Sequence, residues 1–184
     1  MFARMFFGKR LISCERMETK MEFRLARETD IDGICELVAS AVVHMREQKI
    51  FQWDEIYPTR EDFLNDLQEN TLSVGVINGE IVVTFTVNQT CEPEYNDGDW
   101  QYPEEEYRIV HRFCVHPKFQ GRGVAGRTLR HIEEELRRQK IGAVRLDTFT
   151  GNPPAIALYT GNGYEKRGFA DWRKGRFYLM EKRL

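Results

Sequence analysis

The segment QGRGVAGRT, residues 120–128, sets three glycines at the start of a helix-like run. Glycine accepts backbone conformations closed to other residues, and it carries no Cβ to hold a ligand off. Free N–H groups at a helix start then face an anion at close range. The stretch satisfies three patterns. Gly121-x-Gly123-x-x-Gly126 is the dinucleotide fingerprint, and Gly121 with Gly126-Arg127-Thr128 nearly spells a P-loop, with Arg127 where lysine belongs. Gln120-x-x-Gly123-x-Ala125 is a third pattern. All three seat a diphosphate, so the segment points to a ligand before it points to a reaction. A glycine-rich turn that only starts a helix is the plain alternative.

The elements around the segment discriminate among these readings. EFRLAR (22–27) reads as a first strand. Residues 29–45 follow with Ile31, Ile34, Leu37, Val38, Ala41, Val42 and Met45 at helical spacing, and Thr29 and Asp32 form a candidate capping pair. FQWDEIYP (51–58) is an aromatic loop, and Thr59 can cap a second helix bearing Phe63, Leu64 and Leu67. TLSVGVI and EIVVTFTV are separated only by Asn78-Gly79, a strong hairpin signal. An acidic loop, 91–106, leads to the strand YRIVHRFCV (107–115). After the glycines a helix runs to about Lys140, with Ala125, Leu129, Ile132 and Leu136 on one face. A strand at 143–149, a short helix from Pro153 and two final strands joined around Lys174-Gly175 complete the order.

That order disfavours the first two patterns. A dinucleotide fold or P-loop runs its strand almost directly into the first glycine, near the front of a mostly parallel sheet. Here HPKFQ intervenes, Pro117 ends the strand, and a hairpin lies upstream. Asp147 stands about twenty residues past Gly126, where a ribose-binding acid would sit. We read it instead as a strand-end residue capping the next turn. Arg127 weakens the P-loop further, because the lysine of that motif is a compact clamp that arginine imitates poorly.

Downstream, NPPAIALYTGNGY (152–164) places Asn152, Ala155, Leu158, Tyr159, Gly163 and Tyr164 in an N-x-x-A-x-x-L-Y-x-x-x-G-F/Y register. With HRFCVHPKFQGRGVAGRTL (111–129), it resembles the GNAT superfamily of acyl-CoA N-acyltransferases over residues 21–184. The resemblance implies an α/β (α+β) single domain. Its mixed, mostly antiparallel twisted sheet has splayed fourth and fifth strands and is flanked by helices. It implies an N-acetyltransferase that passes the acetyl group of acetyl-CoA to a primary amine, small molecule or peptide, by direct attack in a ternary complex. A non-catalytic acyl-CoA-binding module or sensor is the other class. In similar proteins the pantetheine arm pairs with the fourth strand, here Phe113, Cys114 and Val115. The pyrophosphate lies on Gln120, Gly121, Arg122, Gly123, Val124, Ala125 and Gly126, and Asn152 reaches the pantetheine. Tyr159 contacts the cofactor and protonates the departing thiolate. His111, two residues from Phe113, and Glu106, at the strand's start, are candidate bases; the glutamate that some relatives carry mid-strand is absent, with Ile109 in its place. A water relay stays open, as does a structural role for His111.

The acceptor side rests on composition. Residues 91–107 hold seven carboxylates and no Lys or Arg. Trp100 and Glu104, with Trp53 and Tyr57 from the first loop, are candidate acceptor contacts, since acids attract cations and aromatic faces hold ammonium groups. A solvated acidic surface is the plain reading. At 184 residues the chain suits one domain. Net charge of −2 offers no basic field for nucleic acid. Cys14, Cys35, Cys91 and Cys114 show neither zinc nor disulfide spacing, the four histidines form no ligand set, and no apolar run reaches membrane length. We therefore expect a cytoplasmic protein without metal, nucleic-acid or membrane partner; pairing into a homodimer is left open. Residues 1–20 read as an extension, with a short helix as one expectation for it, before the domain at 21–184; Lys9 and Arg10 interrupt any signal-peptide core ahead of Cys14.

Overall fold

The computed structural model describes residues 20–184. The expectations for the N-terminal extension, Cys14 included, lie outside the described residues. The chain runs through β1 (Glu22–Leu25), α1 (Ile31–Glu47), α2 (Arg60–Gln68), β2 (Leu72–Ile77), β3 (Glu80–Asn88) and β4 (Tyr107–Val115). It continues through α3 (Val124–Arg138), β5 (Ala143–Phe149), α4 (Pro153–Gly161), β6 (Glu165–Trp172) and β7 (Gly175–Arg183). One seven-stranded sheet results, ordered β1-β2-β3-β4-β5-β7-β6. Every neighbouring pair is antiparallel except β4 and β5. This is the mixed sheet the sequence implied.

Local chemistry sets the ends of the elements. Asn78 and Gly79 take φ of 51° and 82°, the pair of positive values a two-residue type I′ hairpin needs. Thr59 and Asp62 form the expected cap of α2, the Asp62 carboxylate accepting the Thr59 N–H at 2.6 Å. The start of α1 departs from expectation. Asp30, not Thr29 with Asp32, closes the turn: its carboxylate accepts the Arg27 N–H at 2.7 Å and both ends of the Arg24 guanidinium. A short 3₁₀ turn, Glu28–Asp30, shifts the capping position, and β1 supplies the cation. Arg24 accordingly holds the Asp30 carboxyl below its usual range. Asp32 turns outward to Arg60 on α2 instead.

Apolar faces then assemble two main cores. Ile31, Ile34, Leu37 and Ala41 of α1 meet Phe63 of α2 and Leu72 and Val74 of β2. Leu129, Ile132 and Leu136 of α3 meet Val144 and Leu146 of β5, with Tyr159 and Tyr164 at and beyond α4.

The sheet opens where these layers meet. The parallel register of β4 and β5 covers Tyr107↔Ala143 to Val110↔Leu146. Beyond that point β4 pairs with β3, and β5 with β7. Within the β3–β4 ladder, Thr84 faces Cys114 and Thr86 faces His111, so Arg112 and Phe113 together oppose Phe85. This is a β-bulge, and Arg112 occupies it at a φ of 48°. Arginine rarely adopts that conformation unless its surroundings impose it. Here they do: Arg112 donates through Nε to Asp66 of α2 at 2.7 Å and through Nη1 to the Tyr57 hydroxyl at 3.0 Å. A second Arg112–Asp66 contact completes a fork, and the Thr86 hydroxyl donates to the same carboxylate at 2.7 Å. Removing one partner of a buried pair costs about 3–5 kcal/mol, because the other charge stays desolvated. Asp66→Ala should therefore lower the unfolding free energy by about that amount in a urea titration. A loss below about 1 kcal/mol, the scale of surface pairs, would show that Asp66 does not hold the bulge.

Candidate active site

Two cavities lie along the opening between β4 and β5. One, of about 440 Å³, is lined by Phe113, Cys114 and Val115 of β4, by Gln120, Gly121 and Gly123–Gly126, and by Asn152, Pro154, Ala155 and Leu158. The other, of about 600 Å³, is lined by Tyr57, Glu69, Glu92, Tyr95, His111, Arg112, Asp147, Tyr159, Trp172 and Phe177, among others. Gln52, Trp53 and Phe113 border both.

The first cavity gathers most of the residues expected at the cofactor. Gly121 and Gly123 take φ of 70° and 76°, and a Cβ at either would meet nothing within 4 Å. Conformation rather than crowding requires glycine here, and the space above the loop is open. Gly123 is the N-cap of α3 and provides no side-chain cap, so the first turn's N–H groups are available to an anion. Gln120 ties the loop to β4, donating to the Val115 carbonyl at 3.1 Å. Arg122 does not line the cavity; its guanidinium lies 5.7 Å from the Phe119 ring centroid. The Asn152 side chain serves as the cap of α4, accepting the Ala155 N–H at 3.2 Å, and donates to Gln52 at 2.8 Å. Sequence reasoning missed the contribution of α1. Ala41 and Met45, which the sequence places only at helical spacing, form a wall of this cavity with His44 and Gln48. Helical periodicity identifies a buried face without saying whether protein or ligand covers it.

The second cavity departs further from expectation. Strand alternation would send Arg112 to the face opposite His111 and Phe113. The bulge breaks the alternation, and all three line this cavity. Burial, reinforced by the Arg112 charge, lowers the His111 imidazole to about 4, and its Nε2 is buried without a partner. Tyr159, buried on α4, packs edge-on to Phe113 at 6.5 Å. Burial raises its phenol well above the usual value, with the Asp147 charge adding to the effect. Asp147 is no turn cap. It lines the cavity, accepts a hydrogen bond from the Tyr95 hydroxyl at 2.8 Å, and is pushed up to about 6 by desolvation.

Of the expected acceptor residues, Trp53 and Tyr57 line this cavity, whereas Trp100 and Glu104 line neither. Trp100 is turned inward: it donates to the Tyr95 carbonyl at 2.8 Å and sits 4.3 Å from the Arg145 guanidinium. Glu104 is exposed on the far part of its loop. Glu106 stands at the paired end of β4, where its carbonyl accepts the Gly142 N–H at 2.8 Å and its carboxylate meets Arg108 at 3.0 Å. The opening lies at the other end of the strand. Glu106 is thus remote from the reacting region, and only Glu92 of the acidic loop's seven carboxylates borders the cavity.

The loop between α1 and α2 roofs both cavities. Asp54 accepts Arg173 through both guanidinium branches at 2.8 Å and Lys174 at 3.2 Å, linking this loop to the β6–β7 turn. These contacts hold the Asp54 carboxyl far below its usual range, Arg173 contributing most.

Comparison with known proteins agrees with this geometry. Residues 40–164 match the acetyltransferase (GNAT) family. The chain belongs to that family. Members of the GNAT family with related sequences include an IAA acetyltransferase of Azospirillum brasilense, 30% identical over 128 residues that cover 70% of this chain and 79% of the relative. The N-alpha-acetyltransferase RimI of Mycobacterium tuberculosis is 39% identical over 78 residues, covering 42% of this chain and 44% of RimI. The chain thus aligns with less than half the length of that relative. A GNAT-family acetyltransferase structure from Streptococcus agalactiae superposes with a TM-score of 0.80 at 26% identity, covering 89% of this chain and 95% of that one. By family this chain is an acyltransferase of the N-acetyltransferase type. Among the described residues no cluster of His, Cys, Asp or Glu is arranged to hold a metal ion, and no helix is long and apolar enough to cross a membrane.

The His111 shift gives a sign to the acid stability of this GNAT domain. Between pH 6.5 and about 4 the unfolded chain binds a proton at His111 that the folded chain refuses. Stability from this residue is therefore lost as pH falls through that window. Asp147 acts in the opposite sense, because its raised value favours the proton in the folded state. Urea denaturation at pH 7 and pH 5 should show a smaller acid-induced loss in His111→Gln than in the unmodified protein. An equal loss in both would mean that His111 titrates normally.

Proposed function

We propose that the chain transfers the acetyl group of acetyl-CoA to a primary amine by direct attack within a ternary complex. The observation that carries this reading is the wall shared by the two cavities: Gln52, Trp53 and Phe113 face both. A thioester held in the smaller cavity would present its carbonyl at that wall, and an amine in the larger cavity would meet it there. The free edge of β4 beyond Val110 supports pantetheine pairing as an added strand, and the uncapped start of α3 supports a pyrophosphate. A neighbour in the fold, the PaiA N-acetyltransferase of Thermoplasma acidophilum, was solved in complex with coenzyme A.

The chemistry follows from the groups at hand. The amine nitrogen bonds to the carbonyl carbon, the nitrogen becomes acidic as it gains positive charge, and the C–S bond breaks. Asp147, ionised above about pH 6, takes the nitrogen's proton. Tyr159, whose phenol stays protonated at neutral pH, gives its proton to the departing sulfur and recovers one from solvent. His111 is too weakly basic for Asp147's role and serves as a neutral hydrogen-bonding wall. For the acceptor we favour a cationic amine. Each of the cavity's cations has a carboxylate partner, Arg112 in Asp66 and Arg173 and Lys174 in a shared Asp54, whereas Glu69 and Glu92 form no side-chain pair among the described residues. Aromatic walls from Trp53, Tyr57 and Trp172 suit the same guest. The free thiols Cys35, Cys91 and Cys114 fit a reducing, cytoplasmic compartment.

Free-thiol release from acetyl-CoA across an amine panel tests the reading; coenzyme A binding without turnover of any amine would indicate a sensor instead. Gly123→Val should raise KM for acetyl-CoA strongly in a folded protein, because valine resists a φ of 76°. An unchanged KM would remove the glycine loop from the cofactor site. Tyr159→Phe should lower kcat by roughly 10²-fold with little change in KM. Full kcat in a chemistry-limited assay would exclude Tyr159 as the acid. Replacing Glu69 and Glu92 together should raise acceptor KM, whereas replacing Glu104 should leave it unchanged.

A further inference from the structure

Tyr95 comes from the acidic loop, yet it is one of the most buried tyrosines of the domain, at 4% exposure. A 3₁₀ turn, Pro93–Asp97, directs it inward. Its ring stacks on Trp100 at 5.8 Å and on Trp172 at 6.2 Å. Its carbonyl accepts the Trp100 indole N–H, and its hydroxyl reaches Asp147, 52 residues away, at 2.8 Å. A loop whose sequence suggests solvation therefore sends one aromatic side chain to the floor of the acceptor cavity. The polar end of that side chain meets Asp147, a carboxylate whose sequence position suggested only a turn cap.

We propose that Tyr95 is a positioning residue for acetyl transfer: by donating to Oδ2 of Asp147, it fixes the carboxylate and leaves Oδ1 to take the proton of the attacking amine. The inference rests on Asp147 being the base. Three physical points support it. A donor to an ionised carboxylate favours the charged form, opposing the burial that would otherwise protonate Asp147. Tyr95 keeps its own proton, since burial and the neighbouring Asp147 charge both raise its phenol. It is therefore a donor throughout the working pH range. The stacked tryptophans hold its ring, so the hydroxyl meets Asp147 without reordering at each turnover.

The other groups whose charge bears on Asp147 or whose own titration feels it are Arg112 from β4, Tyr57 from the α1–α2 loop and Tyr159 from α4. Arg112 is committed to Asp66, and the two tyrosines are neutral at working pH. Tyr95 is thus the neighbour whose removal changes the Asp147 proton affinity with the least disturbance to the wall.

The experiment compares Tyr95→Phe, Asp147→Asn and the double variant with the unmodified enzyme. Phenylalanine keeps the ring and its stacking, so the fold should persist. In Tyr95→Phe the acid limb of kcat/KM should move up by about 1–2 pH units, the equivalent of one charge-assisted hydrogen bond. Activity should recover toward the unmodified value above that limb, and KM for acetyl-CoA should hold. The Asp147 carboxyl resonance, followed by NMR without any substrate, should show the same upward displacement. Asp147→Asn should abolish the limb, and adding Tyr95→Phe to it should change little further. A pH-independent loss in Tyr95→Phe, with the carboxyl titration unmoved, would make Tyr95 a packing residue and overturn the proposal while leaving Asp147 as base. An intact limb in Asp147→Asn would overturn the base assignment itself, and the proposal with it. Absence of thiol release from the unmodified protein with every amine would instead count against the acetyltransfer reading.

Discussion

Everything at this site depends on a short parallel pairing. β4 and β5 stay together from Tyr107↔Ala143 to Val110↔Leu146 and then part. Sheet strands normally continue their ladder, because unpaired backbone groups are costly when buried. Here β4 is turned aside by the bulge at Arg112–Phe113, and each strand satisfies its other edge through β3 or β7. The residue just beyond the parallel stretch on each strand, His111 on β4 and Asp147 on β5, then lines the gap. That geometry gives His111 and Phe113 of β4 a common space with Asp147 of β5, more than thirty residues further along the chain.

The bulge persists because charge holds it. Arg112 sits in the left-handed region, a conformation that costs of order 1–3 kcal/mol for a non-glycine residue. Its guanidinium reaches Asp66, Asp66 receives Thr86, and the remaining branch donates to Tyr57. α2, β3 and β4 meet on one carboxylate, and the aromatic loop joins them through Arg112. The same contacts commit the Arg112 guanidinium, which lines the larger cavity, to structure. Asp54 does the equivalent work at the opposite rim, where it binds the β6–β7 turn to the loop that carries Gln52 and Trp53. The wall shared by the two cavities is thereby fixed from two sides, by ion pairs that belong to different layers of the fold.

The burial that builds this wall also divides the titratable groups by role. It depresses the imidazole of His111 and raises the carboxyl of Asp147, so the residue with the more suitable free pKa becomes the weaker base. It also raises the phenol of Tyr159, which stays protonated at neutral pH. One physical cause, loss of water, thus moves three groups lining one cavity in directions set by the charge of their ionised forms.

Sequence by itself determined the order of strands and helices, the Asn78-Gly79 hairpin, the cap at Thr59, the glycine loop and the α4 segment with Tyr159. These are local features: a turn, a cap or a periodicity is decided by hydrogen bonds and sterics within a few residues, and the family pattern rests on them. Tertiary structure alone decided the bulge, the place of Asp147 in the larger cavity, the inward turn of Tyr95 and Trp100, and the absence of Glu104 and Glu106 from both cavity linings. Those outcomes depend on partners 46, 52 and 119 residues apart, in the contacts of Arg112 with Asp66, Tyr95 with Asp147 and Arg173 with Asp54. An acidic loop looks the same in sequence whether its carboxylates face a ligand or the solvent. Only closure of the sheet selects Glu92 for the cavity and leaves the others outside, because which end of a strand opens is a property of its neighbours and not of the strand.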